Sequence, residues 1–212
     1  MGRTLIIGHR GFAAHFPDNS VAGVRAAFAA GADGVEVDVR PCADGVWVCH
    51  HDRSRGGRPV AEWLLTALGR AGVPTLAEVV TAAPAQRWLY VEIKPLALAS
   101  LAQGMAELRG LLRHRAAFTR VLSSSPAVLA LVGAELPSLA RSWVIGDLPV
   151  APPAAGIELS PRHTLVETLL DWRLPLHPWT VNDAPRMRQL LALGVASLTS
   201  NRPDLAVEVA RG

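Results

Sequence analysis

The chain has 212 residues, half of them apolar, and a formal net charge of only +3. That composition supplies one sizeable core without crosslinks, so a single domain spanning residues 1–212 is expected. The 20 arginines and the one lysine, Lys94, are scattered instead of forming a run or stripe, which argues against nucleic acid as a partner.

The first strand is predicted at residues 5–10, with no basic segment or long apolar run before it, and a cytoplasmic location is expected. A helix at 21–30 and a strand at 34–40 follow. Next come a helix at 76–83, a strand at 89–94, a helix at 97–113, a strand at 120–123 and a helix at 127–133. Strands at 140–145 and 156–159 are joined by GDLPVAPPAA, a proline-rich stretch that reads as a loop without a helix. The chain closes with a helix at 164–171, a strand at 176–181, a helix at 185–193, a strand at 195–200 and a helix at 205–211. Pro185 and Pro203 fall where a first helical turn tolerates proline.

This alternation predicts an α/β fold with a parallel sheet. Eight strands suggest a compact TIM (β/α)8 barrel with short loops, since such barrels typically run to about 250 residues. An open doubly wound sheet is the alternative. No stretch approaches the ~18 to 20 uncharged apolar residues of a transmembrane segment. The Asp44-Gly45 turn is expected to pair Cys42 with Trp47 and to leave Cys49 opposite Arg40, which argues against a disulfide.

In GVEVDVR, side chains alternate across the strand, so Glu36 and Asp38 share one side while Val35, Val37 and Val39 take the other. Glu92 and Lys94 in YVEIKP repeat the arrangement on the next parallel strand. Inside a barrel these charges would be buried, which is costly unless they pair or hold a metal. One such pair reads as a strand-end salt bridge; two in register favour a hard, oxygen-ligated cation, Mg²⁺ or Ca²⁺. His9 and Arg10 end the first strand and His51 and Asp52 follow the hairpin after the second, so a barrel brings them to the same face. Two histidines beside an arginine, a lysine and three acids suit acid/base work on a phosphorylated substrate. Of the other histidines, His50 should point away from His51, and His177 shares strand parity with Trp179.

The run IIGHRGFAAHFPDNSVAGVRAAFAAGADGVEVDVRPCADGVWVCHHD resembles the opening signature of glycerophosphodiester phosphodiesterases: HRG, a PENT-like turn, GAD, E-x-D, a DG turn and HD, in that order. PTLAEVV, VEIKP, PWTVND and TSNRPD are similar to later family segments, so the resemblance spans nearly the whole length. It implies a barrel of the phospholipase C-like phosphodiesterase type, with His9 and His51 as the catalytic pair and Arg10 as a phosphate ligand. It further implies Glu36, Asp38 and Glu92 as ligands of one divalent cation. Lys94 then contacts the phosphate or metal cluster, and Trp179 lines the substrate end of the pocket.

The implied activity is hydrolysis of a small glycerophosphodiester to an alcohol and sn-glycerol 3-phosphate, through attack by the substrate's own glycerol hydroxyl. Two other readings stay open: a phosphodiesterase that stops at the cyclic phosphate, acting on lysophospholipid or inositol-type head groups, and a barrel that binds phosphate ligands without turnover. Asp18 and Ser20 in the PENT-like turn depart from the family pattern, as do Ser125, Ala196, Ser197 and Ser200. None of these departures removes a charged catalytic group. The sequence carries no signal of oligomeric state.

Overall fold

The computed structural model describes residues 3–212. In chain order the chain forms β1 (Leu5–Gly8), α1 (Val21–Ala29), β2 (Gly34–Pro41) and β3 (Trp47–Cys49). A small hairpin of β4 (Ser54–Arg55) and β5 (Arg58–Pro59) precedes α2 (Leu65–Arg70) and α3 (Leu76–Ala82). There follow β6 (Trp88–Ile93), α4 (Leu98–Leu112), β7 (Thr119–Ser123) and α5 (Pro126–Glu135). β8 (Ala140–Ile145) and β9 (Ile157–Pro161) are joined without a helix, and α6 (Val166–Leu169), α7 (Ala184–Ala192), β10 (Ser197–Ser200) and α8 (Pro203–Arg211) complete the chain.

Seven strands pair in parallel in the order β10-β1-β2-β6-β7-β8-β9, and β3 adds antiparallel to β2. The expected strand at 176–181 is not a regular strand. It nevertheless lies between β9 and β10 and bonds to both: His177 N–H donates to Leu159 and Trp179 N–H to Pro161, while Thr199 N–H donates to Pro178. Pro175 and Pro178 have no N–H to give, which interrupts the ladder at those two positions. The sheet is thus curled around a common interior, with this segment in the eighth place of the (β/α)8 plan.

Local signals place the helices. Ser20 caps α1, Thr75 and Glu78 form a reciprocal capping box on α3, Ser125 caps α5 ahead of Pro126, and Asp183 caps α7. The expected helix at 164–171 is instead one α turn between two 3₁₀ turns, stopped at Arg173, whose φ is 54°. The proline-rich loop before β9 has no helix, as its composition predicts.

The outward faces of the strands build the core. Val35, Val37 and Val39 pack with Val24, Leu76, Val79, Leu101, Met105 and Leu108 from α1, α3 and α4. Ile6 and Leu198 pack with Met187, Leu190, Ala206 and Val207 of α7 and α8. The alternation that sends valines outward therefore sends Glu36 and Asp38 inward.

The hairpin register corrects one expectation. Cys42 N–H bonds to Val46, Pro41 faces Trp47 and Val39 faces Cys49, so the loop is Ala43-Asp44-Gly45, with Gly45 at φ 76°. This three-residue loop with a left-handed glycine replaces the two-residue turn, and Cys49 lies opposite Val39, not Arg40. Both cysteines are buried and free. Among the described residues no helix is long and apolar enough to cross a membrane.

Candidate active site

The backbone after β1 is bent tightly over the barrel mouth. Arg10 has φ 50° and Gly11 φ 86°, and a side chain on Gly11 would meet the backbone of Gly23 at 2.7 Å. A Cβ on Gly8 would sit 2.2 Å from the Gly11 carbonyl oxygen. The strained turn lets the Arg10 N–H donate to Glu36 Oε2 at 3.0 Å while its side chain turns inward.

Glu36, Asp38 and Glu92 each present a carboxylate oxygen within 4.8 Å of the others, a ligand set for a divalent cation. The parallel register of β2 and β6 places Asp38 directly beside Glu92. Lys94 Nζ lies 2.7 Å from Asp38 Oδ1 and 2.6 Å from Glu92 Oε1, and Arg10 Nε lies 3.2 Å from Asp38 Oδ2. Three carboxylates therefore face two cations, one of which, Arg10, is also shared with Asp18, so negative charge is in excess. Glu36 carries the consequence: burial, then the fields of Asp38 and Glu92, push its carboxyl well above the usual range. Its Oε1 is buried with no hydrogen-bond partner. Burial works on Asp38 in the same direction, but Lys94, Asn19 and Arg10 outweigh it and hold that carboxyl below the usual range. Lys94 is held above the usual lysine range: burial opposes its charge, and Glu92, Asp38 and Glu36 overcome that.

The two histidines stand at the rim with their Nδ1 atoms occupied. His9 Nδ1 lies 2.6 Å from Asn201 Oδ1, and His51 Nδ1 lies 2.8 Å from Asp52 Oδ1. Both partners are hydrogen-bond acceptors, so in each ring Nδ1 carries the proton and Nε2 is left to act toward the cavity. His9 Nε2 lies 3.9 Å from Glu36 Oε2. Burial pulls the His9 pKa below the ordinary histidine value. His51 is the more exposed ring, reached through β3, and its carbonyl accepts from Arg40 Nε at 3.0 Å.

One cavity of about 100 Å³ touches His9, Arg10, Glu36, His51, Glu92 and Lys94. Trp179 forms part of its opposite wall with Leu122 and Val144, its indole N–H held by the Ser160 carbonyl at 2.7 Å. Asp38 is buried just beneath. The eight residues singled out in the sequence are thus brought together.

Three further residues complete the surroundings. Asn19, buried at φ 61°, clamps Asp38 from both sides: its Nδ2 donates to Oδ2 and its Oδ1 accepts the Asp38 N–H, each at 2.9 Å. It belongs to the PDNS turn, whose sequence reads only as a helix start. Asn201, from TSNRPD, orients His9. His177 forms part of the cavity floor, buried against Glu158 Oε2 and Ser197 Oγ at 2.8 Å each and against Arg120. Burial lowers its pKa to about 4, so it is a neutral wall group. Its parity with Trp179 was the available signal.

The model of the glycerophosphoryl diester phosphodiesterase family matches residues 9–101, the segment carrying His9, Arg10, Glu36, Asp38, His51, Glu92 and Lys94. That segment is similar to this family. A probable glycerophosphodiester phosphodiesterase of Mycobacterium tuberculosis is 28% identical over 100% of this chain and 93% of its own length. A glycerophosphodiester phosphodiesterase of Bacillus altitudinis is 24% identical over 97% and 98%. Among solved structures, a phosphodiesterase of Oleispira antarctica in complex with the product sn-glycerol-3-phosphate superposes with a TM-score of 0.85 at 20% identity, covering 99% of this chain and 98% of that one. The fold of that structure agrees with the curled parallel sheet described above.

Proposed function

We propose that the chain hydrolyses glycerophosphodiesters to an alcohol and sn-glycerol 3-phosphate, using His9 and His51 as an acid/base pair and one divalent cation, Mg²⁺ or Ca²⁺. The observation that carries this reading is the convergence of two histidines, two cations and the carboxylate cluster on a single cavity. The buried, unpartnered Glu36 Oε1 fits a cation better than a closed set of salt bridges, in which every buried oxygen would be satisfied. Held by Glu36, Asp38 and Glu92, a divalent cation supplies charge neutralisation and polarisation of a phosphoryl oxygen.

The remaining work falls to the chain's own groups. Arg10 and Lys94 place positive charge where the transition state gathers negative charge. The glycerol hydroxyl attacks phosphorus, one histidine Nε2 takes its proton, and the other histidine protonates the departing alcohol oxygen. Water then opens the resulting cyclic phosphate with the two roles exchanged.

The test is release of glycerol 3-phosphate from a panel of head groups, with chelator and with metal restored. The reading expects glycerol 3-phosphate with metal and none with chelator. Accumulation of a cyclic ester identifies a lyase, and tight binding without turnover at any metal concentration identifies a binding protein.

Trp179 lines the cavity and belongs neither to the carboxylate cluster nor to the acid/base pair. Trp179→Ala should therefore reorder preference between glycerophosphodiesters and phosphodiesters lacking the glycerol end, while leaving metal affinity near wild type. A fixed ranking with a collapsed melting temperature would make it a packing residue only.

A further inference from the structure

We infer that a second anion subsite, formed by Arg40 and Arg53 beside the catalytic cavity, selects glycerophosphodiesters whose alcohol carries a further phosphate. This rests on the hydrolase reading above and specifies its head-group end. Arg40 follows Glu36 and Asp38 along β2 and shares their parity. Its Nε is committed to the His51 carbonyl, which leaves the two terminal nitrogens available to a ligand in the groove that Arg40 lines. The residue is half-buried, yet among the described residues no carboxylate pairs with it. Arg53, two residues beyond His51, is exposed and likewise has no ion-pair partner among the described residues.

Both arginines line one groove of about 750 Å³, walled by Pro59 and Val60 on one side and by Pro95 and Leu96 on the other. The nearby acids are otherwise engaged. Glu62, also in the groove, lies 3.8 Å from Arg58; Asp52 holds His51; Asp38 and Glu92 hold Lys94. Arg10, Arg109, Arg120, Arg186 and Arg202 all have carboxylate partners. Two like charges turned toward one groove repel each other, and a bound anion converts that repulsion into two charge-assisted contacts. A phosphate suits two guanidinium groups because each can present paired N–H donors.

The position also sets the direction in which substrate lies. Trp179 is in the eighth barrel place, three positions around the sheet from β2. With the scissile phosphate at the charged centre, the glycerol end meets Trp179 and the alcohol leaves past His51, over Arg40.

The experiment compares glycerophosphoglycerol with its terminally phosphorylated counterpart, using the metal-loaded full chain. The ratio of kcat/KM for the phosphorylated over the neutral substrate should fall about tenfold in Arg53→Gln and in Arg40→Gln, through KM. In the wild type, added salt should lower the same ratio. Because each variant is judged by a ratio, a general loss from disturbing the His51 carbonyl in Arg40→Gln does not mimic the effect. Arg53→Gln, at an exposed position, covers the case in which Arg40→Gln fails to fold. An unchanged ratio in the folded variants overturns the subsite while leaving the hydrolase intact. Absence of turnover of glycerophosphoglycerol by the wild type overturns both.

Discussion

His9→Ala and His51→Ala should each lower turnover by on the order of 10² to 10⁴, the usual cost of losing a positioned acid or base. The two rings come from different strand ends, both expose Nε2 to the cavity, and neither belongs to the carboxylate cluster. Groups that act as a unit are not additive, so the double variant should be little worse than either single one. A bell-shaped pH profile should lose one limb in each single variant. Asn201→Ala should give a smaller, graded loss, because it releases the His9 ring without removing it. Circular dichroism and metal titration would show that fold and cation binding persist. Near wild-type turnover in either single variant, or full recovery on adding metal, would remove the acid/base assignment.

Much of this arrangement is legible in the sequence because the information is local and periodic. Strand alternation alone puts Glu36 with Asp38 and Glu92 with Lys94, and the structure adds the register that sets Asp38 beside Glu92. The caps on α1, α3, α5 and α7 are written in single residues that bond three positions ahead. What local pattern could not supply is any bond across the chain. The Asn19–Asp38 clamp joins residues 19 apart, and the His9–Asn201 bond joins residues 192 apart. Asn19 in particular looks like an ordinary turn residue until β2 is placed next to it.

The misreadings have equally specific causes. In the 176–181 segment the apolar pattern indicates a strand, but Pro178 within it and Pro175 just before it have no N–H, so barrel closure is made by scattered backbone bonds. In the β2–β3 hairpin the Asp-Gly pair suggests a two-residue turn, whereas the left-handed residue is Gly45 at the end of a three-residue loop. That single-residue slip changes which residue faces Cys49 and would invert every side chain of β3. Of the Arg120–Glu158–His177 group below the cavity only the parity of His177 is legible, because its members come from three separate strand positions with no shared motif.

Glu36→Gln separates the two physical accounts of the carboxylate cluster, and its effect on metal should be large. If the three acids exist to hold a cation, removing one formal charge from the ligand set should cost at least the ~10 to 100-fold in affinity that loss of an outer-sphere partner typically costs. Activity should fall with it, and chelation should abolish turnover of the wild type. The metal-free protein should respond in the opposite sense. Burial and the neighbouring charges of Asp38 and Glu92 already favour the neutral form of Glu36 in the absence of a cation, so glutamine costs it little and relieves repulsion. Melting temperature without metal should hold or rise, while the increase that added Mg²⁺ or Ca²⁺ gives the wild type should shrink. Asp38→Asn behaves differently, because Asp38 also balances buried Lys94, and breaking a buried pair costs on the order of 3 to 5 kcal/mol. Asn19→Ala, which leaves every charge in place but frees the Asp38 carboxylate, should weaken cation binding by about 10 to 100-fold. Calorimetric titration of each variant with both cations, beside thermal melts with and without chelator, reads all of these at once. Wild-type cation affinity in Glu36→Gln, or full turnover by chelated wild-type protein, would leave the carboxylates as partners of Lys94 and Arg10 alone.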